Sequence, residues 1–188
     1  MERLAALASR NEHKLAELRA ALPDWDLSLL DAVEYPPEQG STYFENAAGK
    51  ARFGRSVAVP AAWVLGEDSG LEVEGLDGGP GIASSRFAPD GDFVGRLLAA
   101  LEGVEGDRRR ARYVCELVAL SPGGDTFRGT GTLEGTIAEE PRGHEGFGYD
   151  PVFVPDEEDE TVAELGNDWK AGYSHRALAA RALRAAVG

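Results

Sequence analysis

Apolar residues along this chain switch between the two-residue rhythm of a strand and the three-to-four-residue rhythm of a helix. Arg3–Ser9 reads as a short strand of small and apolar residues. Leu15, Leu18 and Leu22 then share one helical face, with Ser9 or Asn11 as the cap and Pro23-Asp24 as the stop. Trp25–Val33 is a second strand and Tyr35–Gly40 a loop, after which Thr42–Glu45 fits a capping box opening a second helix. Ala61–Leu65 is a strand that runs into Glu67 and Asp68. Asp90 caps a helix through Phe93, Leu97, Leu98 and Leu101. Arg112–Leu120 and Thr126–Ala138 are two strands joined by Ser121–Asp125, a hairpin signature. Pro141–Phe153 is rich in glycine, Asp156–Glu160 is an acidic loop, Thr161–Leu165 a short helical stretch, and Ser174 caps a last helix.

At 188 residues, 1–188 is expected to form a single domain, with room for two lobes and a sizeable core. A hydrophobic content of 43% and a charged content of 28% belong to an ordinary soluble protein. No apolar run approaches the ~18–20 residues of a membrane span, so no membrane partner is expected. Met1-Glu2-Arg3-Leu4 lacks the basic flank and apolar run of a signal peptide, which makes the cytoplasm the expected location. The net charge of −14 argues against stable binding of nucleic acid, yet leaves room for a small phosphorylated ligand held by local cations and a metal. Cys115, the one cysteine, sits in a strand-like apolar run and reads as a small buried hydrophobe.

Candidate chemistry gathers in several places. Glu67 and Asp68, followed by Ser69-Gly70 at a strand's end, form an oxygen-rich group suited to a divalent cation. Glycines around Pro80 permit close approach of backbone to a ligand, and Arg86 supplies a planar fork for phosphate or carboxylate. An acidic turn followed by a flexible surface loop accounts for the same residues. The Ser9–Lys14 join presents backbone N–H groups at a helix start, an anion site with Lys14 within reach, although a capped polar turn explains it too. Glu45, Asn46 and Lys50 lie near one another on the second helix, but capping alone accounts for Glu45. Phe147 and Tyr149, held among glycines, offer a stacking plate for a base or fold back onto the core. His175 and Arg176 sit in a first helical turn, where basic residues oppose the helix dipole. Only three lysines occur, Lys14, Lys50 and Lys170, against a strong preference for arginine, which suggests a reason specific to each. Neither a dinucleotide-binding Gly-x-Gly-x-x-Gly nor a complete P-loop is present.

Five elements in order carry a resemblance: Ser9–Lys14; Phe44-Glu45-Asn46 through Lys50-Ala51; Glu67–Leu71; Pro80–Phe87; and Gly146–Pro151 with Ser174-His175-Arg176. Together they resemble the inosine triphosphate pyrophosphatase family, also called XTP/dITP diphosphatases. The resemblance implies an α/β fold with a mixed, twisted central sheet flanked by helices, two lobes with an active-site cleft between them, and a homodimer. It also implies Mg²⁺-dependent hydrolysis of ITP, dITP and XTP to the monophosphate and pyrophosphate.

Carried over by position, Asp68 is the catalytic carboxylate and a metal ligand, with Glu67 beside it and Glu45 the second metal carboxylate. The resemblance places Ser9, Arg10, Asn11, Glu12, His13, Lys14, Lys50 and Ser69 on the triphosphate side, with Asn46 and Arg86 also among the substrate-binding residues. Phe147, Gly148, Tyr149, Asp150, Lys170, His175 and Arg176 fall on the base side. Two departures stand out: Glu67 occupies a place where many members carry Asp, and Gly143-His144-Glu145-Gly146 replaces a pattern closer to Gly-Thr-Gly-Gly. Two other readings of these motifs are a Maf-like pyrophosphatase of modified pyrimidine nucleotides and a nucleotide sensor without turnover.

Overall fold

The computed structural model is described over residues 3–188; Met1 and Glu2, part of the signal-peptide reading, lie outside the described residues. Its strands are β1 (Arg3–Leu7), β2 (Trp25–Leu29), β3 (Trp63–Val73), β4 (Gly79–Pro80), β5 (Arg110–Leu120), β6 (Thr126–Ile137) and β7 (Phe153–Pro155). Its α-helices are α1 (Glu12–Ala21), α2 (Tyr43–Val57), α3 (Phe93–Ala100), α4 (Val162–Tyr173) and α5 (His175–Val187). The strands form one sheet in the order β2-β1-β3-β5-β6-β7, with β4 paired to β3. β1 is parallel to β2 and β3, whereas β4 is antiparallel to β3 and β7 to β6. This is the mixed α/β sheet flanked by helices that the resemblance implied.

Contacts divide the chain into two compact units. The first takes the chain up to Asp68, Cys115–Gly131 and Arg176–Gly188; the second takes Ser69–Val114 and Thr132–His175. In the first, the side-chain alternation of β5 sorts the helices onto two faces of the sheet. Cys115, Leu117 and Ala119 pack with Leu15, Leu18 and Leu22 of α1 and Ala179, Ala180 and Leu183 of α5. Val118, one residue out of phase, packs with Ala47, Ala48 and Ala51 of α2. The second unit has its own core, in which Leu71, Val73, Leu97, Leu101, Tyr113, Ile137, Val152 and Phe153 are buried.

Several boundaries differ from the sequence expectation. β1 and β2 end sooner, at Leu7 and Leu29, because the chain turns there into the Ser9–Asn11 cap and the Tyr35 loop. Asn11, not Ser9, caps α1: its side chain accepts from the His13 and Lys14 N–H groups, while Ser9 Oγ accepts from Asn11 N–H. Asp92 replaces Asp90 as the cap of α3, accepting from Gly95 N–H at 2.9 Å. The short helix at Thr161 extends to Tyr173 across a break at Gly166, whose φ of 84° is a left-handed value. Glu145, part of the departing Gly-His-Glu-Gly segment, accepts from Asn167 N–H at 2.8 Å and so caps the half-helix carrying Lys170.

The consequential difference is β3, which does not end before Glu67 but runs unbroken to Val73. Leu71 and Val73 are fully buried in the second core, and that burial outweighs the turn signal of Ser69-Gly70. The Pro80 segment is likewise ordered: Ser84 Oγ accepts from Leu71 N–H at 2.9 Å and donates to Gly81 C=O at 2.6 Å.

Gly66, inside β3, has a steric task. A Cβ there would lie 2.0 Å from Ala47 C=O and 2.5 Å from Ala51 N, so only glycine lets α2 lie this close to the strand. Gly66→Ala is expected to destabilise by at least ~1–3 kcal/mol. Gly49→Ala, with only the Arg52 guanidinium as near as 4.0 Å, should stabilise by up to ~1 kcal/mol. Urea denaturation of the two variants checks the contrast.

Candidate active site

An unbroken β3 must send successive side chains to opposite faces of the sheet. Glu67 therefore joins the α1 and α5 face, and Asp68 the α2 face. The expectation that these neighbouring carboxylates share one ion at a strand's end does not hold, because the pleat separates them.

Glu67 is 1% exposed and enclosed by cations. Lys14 Nζ lies 2.6 Å from Oε2, Arg176 Nε donates to Oε1 at 3.1 Å, and the Cys115 thiol is 3.6 Å from the same oxygen. Arg176, also buried, pairs with Glu17 of α1. Burial alone would raise the Glu67 carboxyl; Lys14, Arg176 and Lys50 outweigh it and hold it well below the usual carboxylate range. Burial pushes the Cys115 thiol well up, and the Glu67 charge adds to it, which fits the inert role read for this residue.

On the other face, Asp68 is 5% exposed. Asn46 Nδ2 donates to Oδ2 at 3.1 Å and Lys50 Nζ to Oδ1 at 2.7 Å. The same ammonium meets Glu38 Oε1 at 2.7 Å and donates to Glu67 C=O at 3.0 Å. Burial raises the Asp68 carboxyl; Lys50 and Asn46 pull it down less than burial lifts it, so the net shift is upward.

The sequence pattern places Glu38 only in a loop between Tyr35 and Gly40. Gly40 N–H donates to Asn46 Oδ1 at 2.9 Å, which ties that loop to the helix start beside Asp68. Two adjacent prolines before an acidic residue were the available signal, since they stiffen a loop and fix its carboxylate's reach.

Glu45 is exposed and differently occupied. Its N–H donates to Thr42 Oγ1, and its carboxylate accepts from the N–H and hydroxyl of Ser41, each at 2.7 Å, with Thr42 also hydrogen-bonding to it; these bonds lower its carboxyl from the usual value. Among the described residues no group of three or more His, Cys, Asp or Glu is arranged to hold an ion.

At the start of α1, Arg10 donates to Val33 C=O and lies over the Tyr35 ring, so it braces the loop that leads to Glu38. Glu12 and His13 form the exposed first turn of α1. Arg86 donates to Ile82 C=O within its own 3₁₀ turn, and Ser69 follows Asp68 on β3.

The second unit holds the other predicted cluster. Asp150, 4% exposed, accepts from Phe147 N–H at 2.8 Å and from Lys170 Nζ at 2.7 Å, both at Oδ2, and from the Tyr113 hydroxyl at 3.2 Å at Oδ1. Lys170 Nζ also lies 4.8 Å from the Phe147 ring centre. Gly146 permits this turn: its φ is 78°, and a Cβ there would lie 2.1 Å from Asp150 Oδ2. Gly148, at a φ of 66°, completes the bend. Tyr149 folds back onto the core, donating to Ser84 C=O at 2.8 Å. His175 stacks on Tyr113, a residue that the sequence pattern marks only as strand core.

The sequence model of the Ham1 family matches residues 5–186. A dITP/XTP pyrophosphatase of Bdellovibrio bacteriovorus is 42% identical over 187 residues, covering 94% of each chain. One from Deinococcus deserti is 44% identical over 98% of this chain and 89% of its own. Among solved structures, a HAM1 protein from Coxiella burnetii superposes with a TM-score of 0.84 at 34% identity, covering 98% of both chains. A nucleoside-triphosphatase / dITP/XTP pyrophosphatase from Mycobacterium abscessus gives 0.73 at 36% identity, covering 97% of this chain and 96% of its own.

The ion cluster around Glu67 sets a pH signature. Because its folded carboxyl sits below its unfolded value of about 4.3, Glu67 contributes stability that is present above that value and lost as pH falls through the folded one. Glu67→Gln should lose ~3–5 kcal/mol at pH 7, a deficit that shrinks on acidification. Thermal melts in chelated buffer from pH 7 downward measure both arms; a constant deficit would contradict the assignment.

Proposed function

The chain belongs to the Ham1 family, and from that premise we propose that it hydrolyses non-standard purine nucleoside triphosphates, ITP, dITP and XTP, to the monophosphate and pyrophosphate. The single observation that carries the reading is the set of oxygens around one ammonium on the α2 face. Asp68 Oδ1, Glu38 Oε1 and Glu67 C=O all lie within 3.0 Å of Lys50 Nζ.

Hard oxygen donors that already surround a cation fit a divalent metal. Two carboxylates suit Mg²⁺, which usually keeps waters and takes its remaining ligands from substrate phosphates. Asp68 and Glu38 are the residues that would hold it; Glu45, committed to Ser41, is the weaker candidate. A divalent cation bound there screens the phosphate charge and polarises the α-phosphorus.

The chain's own groups supply the rest. Asp68, its carboxyl raised by burial, accepts the proton of the attacking water, and Asn46 fixes its orientation. Lys50, on a flexible stem, passes from Asp68 and Glu38 to the phosphate oxygens as they arrive. Lys14 and the α1 start, capped by Asn11, supply further positive potential. Glu67 acts as the buried counter-ion that holds Lys14 and Arg176, not as the base. On the base side, Phe147, Lys170 and His175 supply a ring face and donors, and Asp150 an acceptor. A purine with a 6-oxo group meets these donors, whereas adenine offers a further donor there, leaving groups unpaired at ~1–3 kcal/mol.

The finer points come from the resemblance: Mg²⁺ as the metal, a homodimer as the assembly, and the cytoplasm as the location. No described helix is long and apolar enough to cross a membrane.

Pyrophosphate release from ITP, XTP, GTP, ATP and pyrimidine triphosphates, with and without Mg²⁺, tests the reading. Inosine and xanthosine triphosphates should be preferred; a preference for pyrimidines would favour the Maf-like alternative, and no turnover would favour the sensor. Asp68→Asn should lower kcat about 10²–10⁴-fold. Glu38→Gln should raise the Mg²⁺ concentration needed for half-maximal rate far more than Glu45→Gln does. The opposite order would return the second carboxylate to Glu45.

A further inference from the structure

Tyr113 touches two groups of the proposed base site at once. It stands on β5 and is 7% exposed. Its hydroxyl donates to Asp150 Oδ1 at 3.2 Å. Its ring stacks on the His175 imidazole, with centres 4.6 Å apart and planes 8° from parallel. The ring also meets Phe153 at 4.6 Å and a tilt of 41°, so the core fixes where the hydroxyl can reach.

We infer that Tyr113 is a positioning residue for purine discrimination, setting the plane of the Asp150 carboxylate and the plane of the His175 ring together. The inference rests on the reading above that Asp150 and His175 face the base. Both side chains end in a torsion with broad minima, so neither plane is fixed by its own rotamer. Lys170 and Phe147 N–H both anchor Oδ2 of Asp150. The Tyr113 hydroxyl pins the second oxygen. The stack does the same for the imidazole, because parallel contact is lost if the ring turns.

Hypoxanthine and adenine have nearly the same shape and differ in where they donate and accept hydrogen bonds. Selection between them depends on the direction of the protein's donors and acceptors rather than on pocket volume. Loosening those directions should erode selection first. A packing role for Tyr113 would instead cost stability and leave selection intact.

The test compares Tyr113→Phe, which keeps the ring and removes the hydroxyl, with Tyr113→Leu, which removes both. ITP and ATP are the probes, with pyrophosphate release followed at fixed Mg²⁺ concentration. Tyr113→Phe should lower the ratio of kcat/KM for ITP over ATP by about 2- to 12-fold, the net worth of one hydrogen bond. The loss should appear mainly as a higher KM for ITP. Tyr113→Leu should lower the ratio further and shift the His175 ring protons in NMR spectra as the ring current disappears. A folded Tyr113→Phe enzyme with the wild-type ratio overturns the inference and leaves the proposed function standing. A wild-type enzyme with no preference for ITP over ATP overturns the function, and the inference with it.

Discussion

The pleat of β3 imposes an order on charges that would otherwise conflict. Glu67 and Asp68 are adjacent in sequence and both buried, so on one face they would repel each other in a medium that screens poorly. Separated by the sheet, each finds its own cations: Lys14 and Arg176 for Glu67, Lys50 for Asp68. The separation depends on Gly66, since α2 carries Asn46 and Lys50 to Asp68 only by lying against a strand with no side chain at that point. Buried ion clusters of this kind add little net stability, because desolvation offsets the attraction. Their contribution is geometric: one arginine at the start of α5 and one lysine on α1 are tied to a single strand residue. The apolar faces of those helices supply the stabilisation.

The same logic recurs around Asp150 in the second unit. A buried carboxylate with donors on both oxygens is a satisfied group in a low-dielectric setting, where each bond strengthens the others. Gly146 makes room for it, and Glu145 caps the half-helix that delivers Lys170. The departing Gly-His-Glu-Gly segment therefore has a structural task in this chain. Its glutamate stabilises the break at Gly166 from outside the helix.

Much of this was legible in the sequence, and what was missed has identifiable causes. The helices over Leu15–Leu22 and Phe93–Leu101, the hairpin at Ser121–Asp125 and the burial of Cys115 follow from periodicity and composition. The scarcity of lysine proved informative: Lys14, Lys50 and Lys170 each pair with an acid picked out from sequence, Glu67, Asp68 and Asp150. β3 was cut short because glycine and serine read as punctuation, whereas Gly66 answers to a neighbouring helix and the strand beyond it to the packing of Leu71 and Val73. Neither cause is local, so no window along the chain contains it. Glu38 escaped for a related reason. Its partner is twelve positions away on a different element, and loop residues carry no periodicity to reveal which way they point. Tyr113 was hidden by its own strand pattern, which accounts for the ring and says nothing of the hydroxyl.

On the proposed reading, the charge around Lys50 also explains how so acidic a chain accepts a polyanion. Asp68 and Glu38 bring two negative charges to one ammonium, so this group is one charge short of neutral before any ligand arrives. Such a group would repel a bare triphosphate and favour a divalent cation, which Asp68 and Glu38 would hold and which would screen the phosphate charge. Lys50, on its flexible stem, would pass from its carboxylates to the phosphate oxygens, keeping its ammonium paired. An arginine in its place, rigid and bidentate, would hold the two carboxylates more firmly and yield them less readily. In a chain that otherwise prefers arginine, the mobility of a single point charge is a physical reason for lysine at this position.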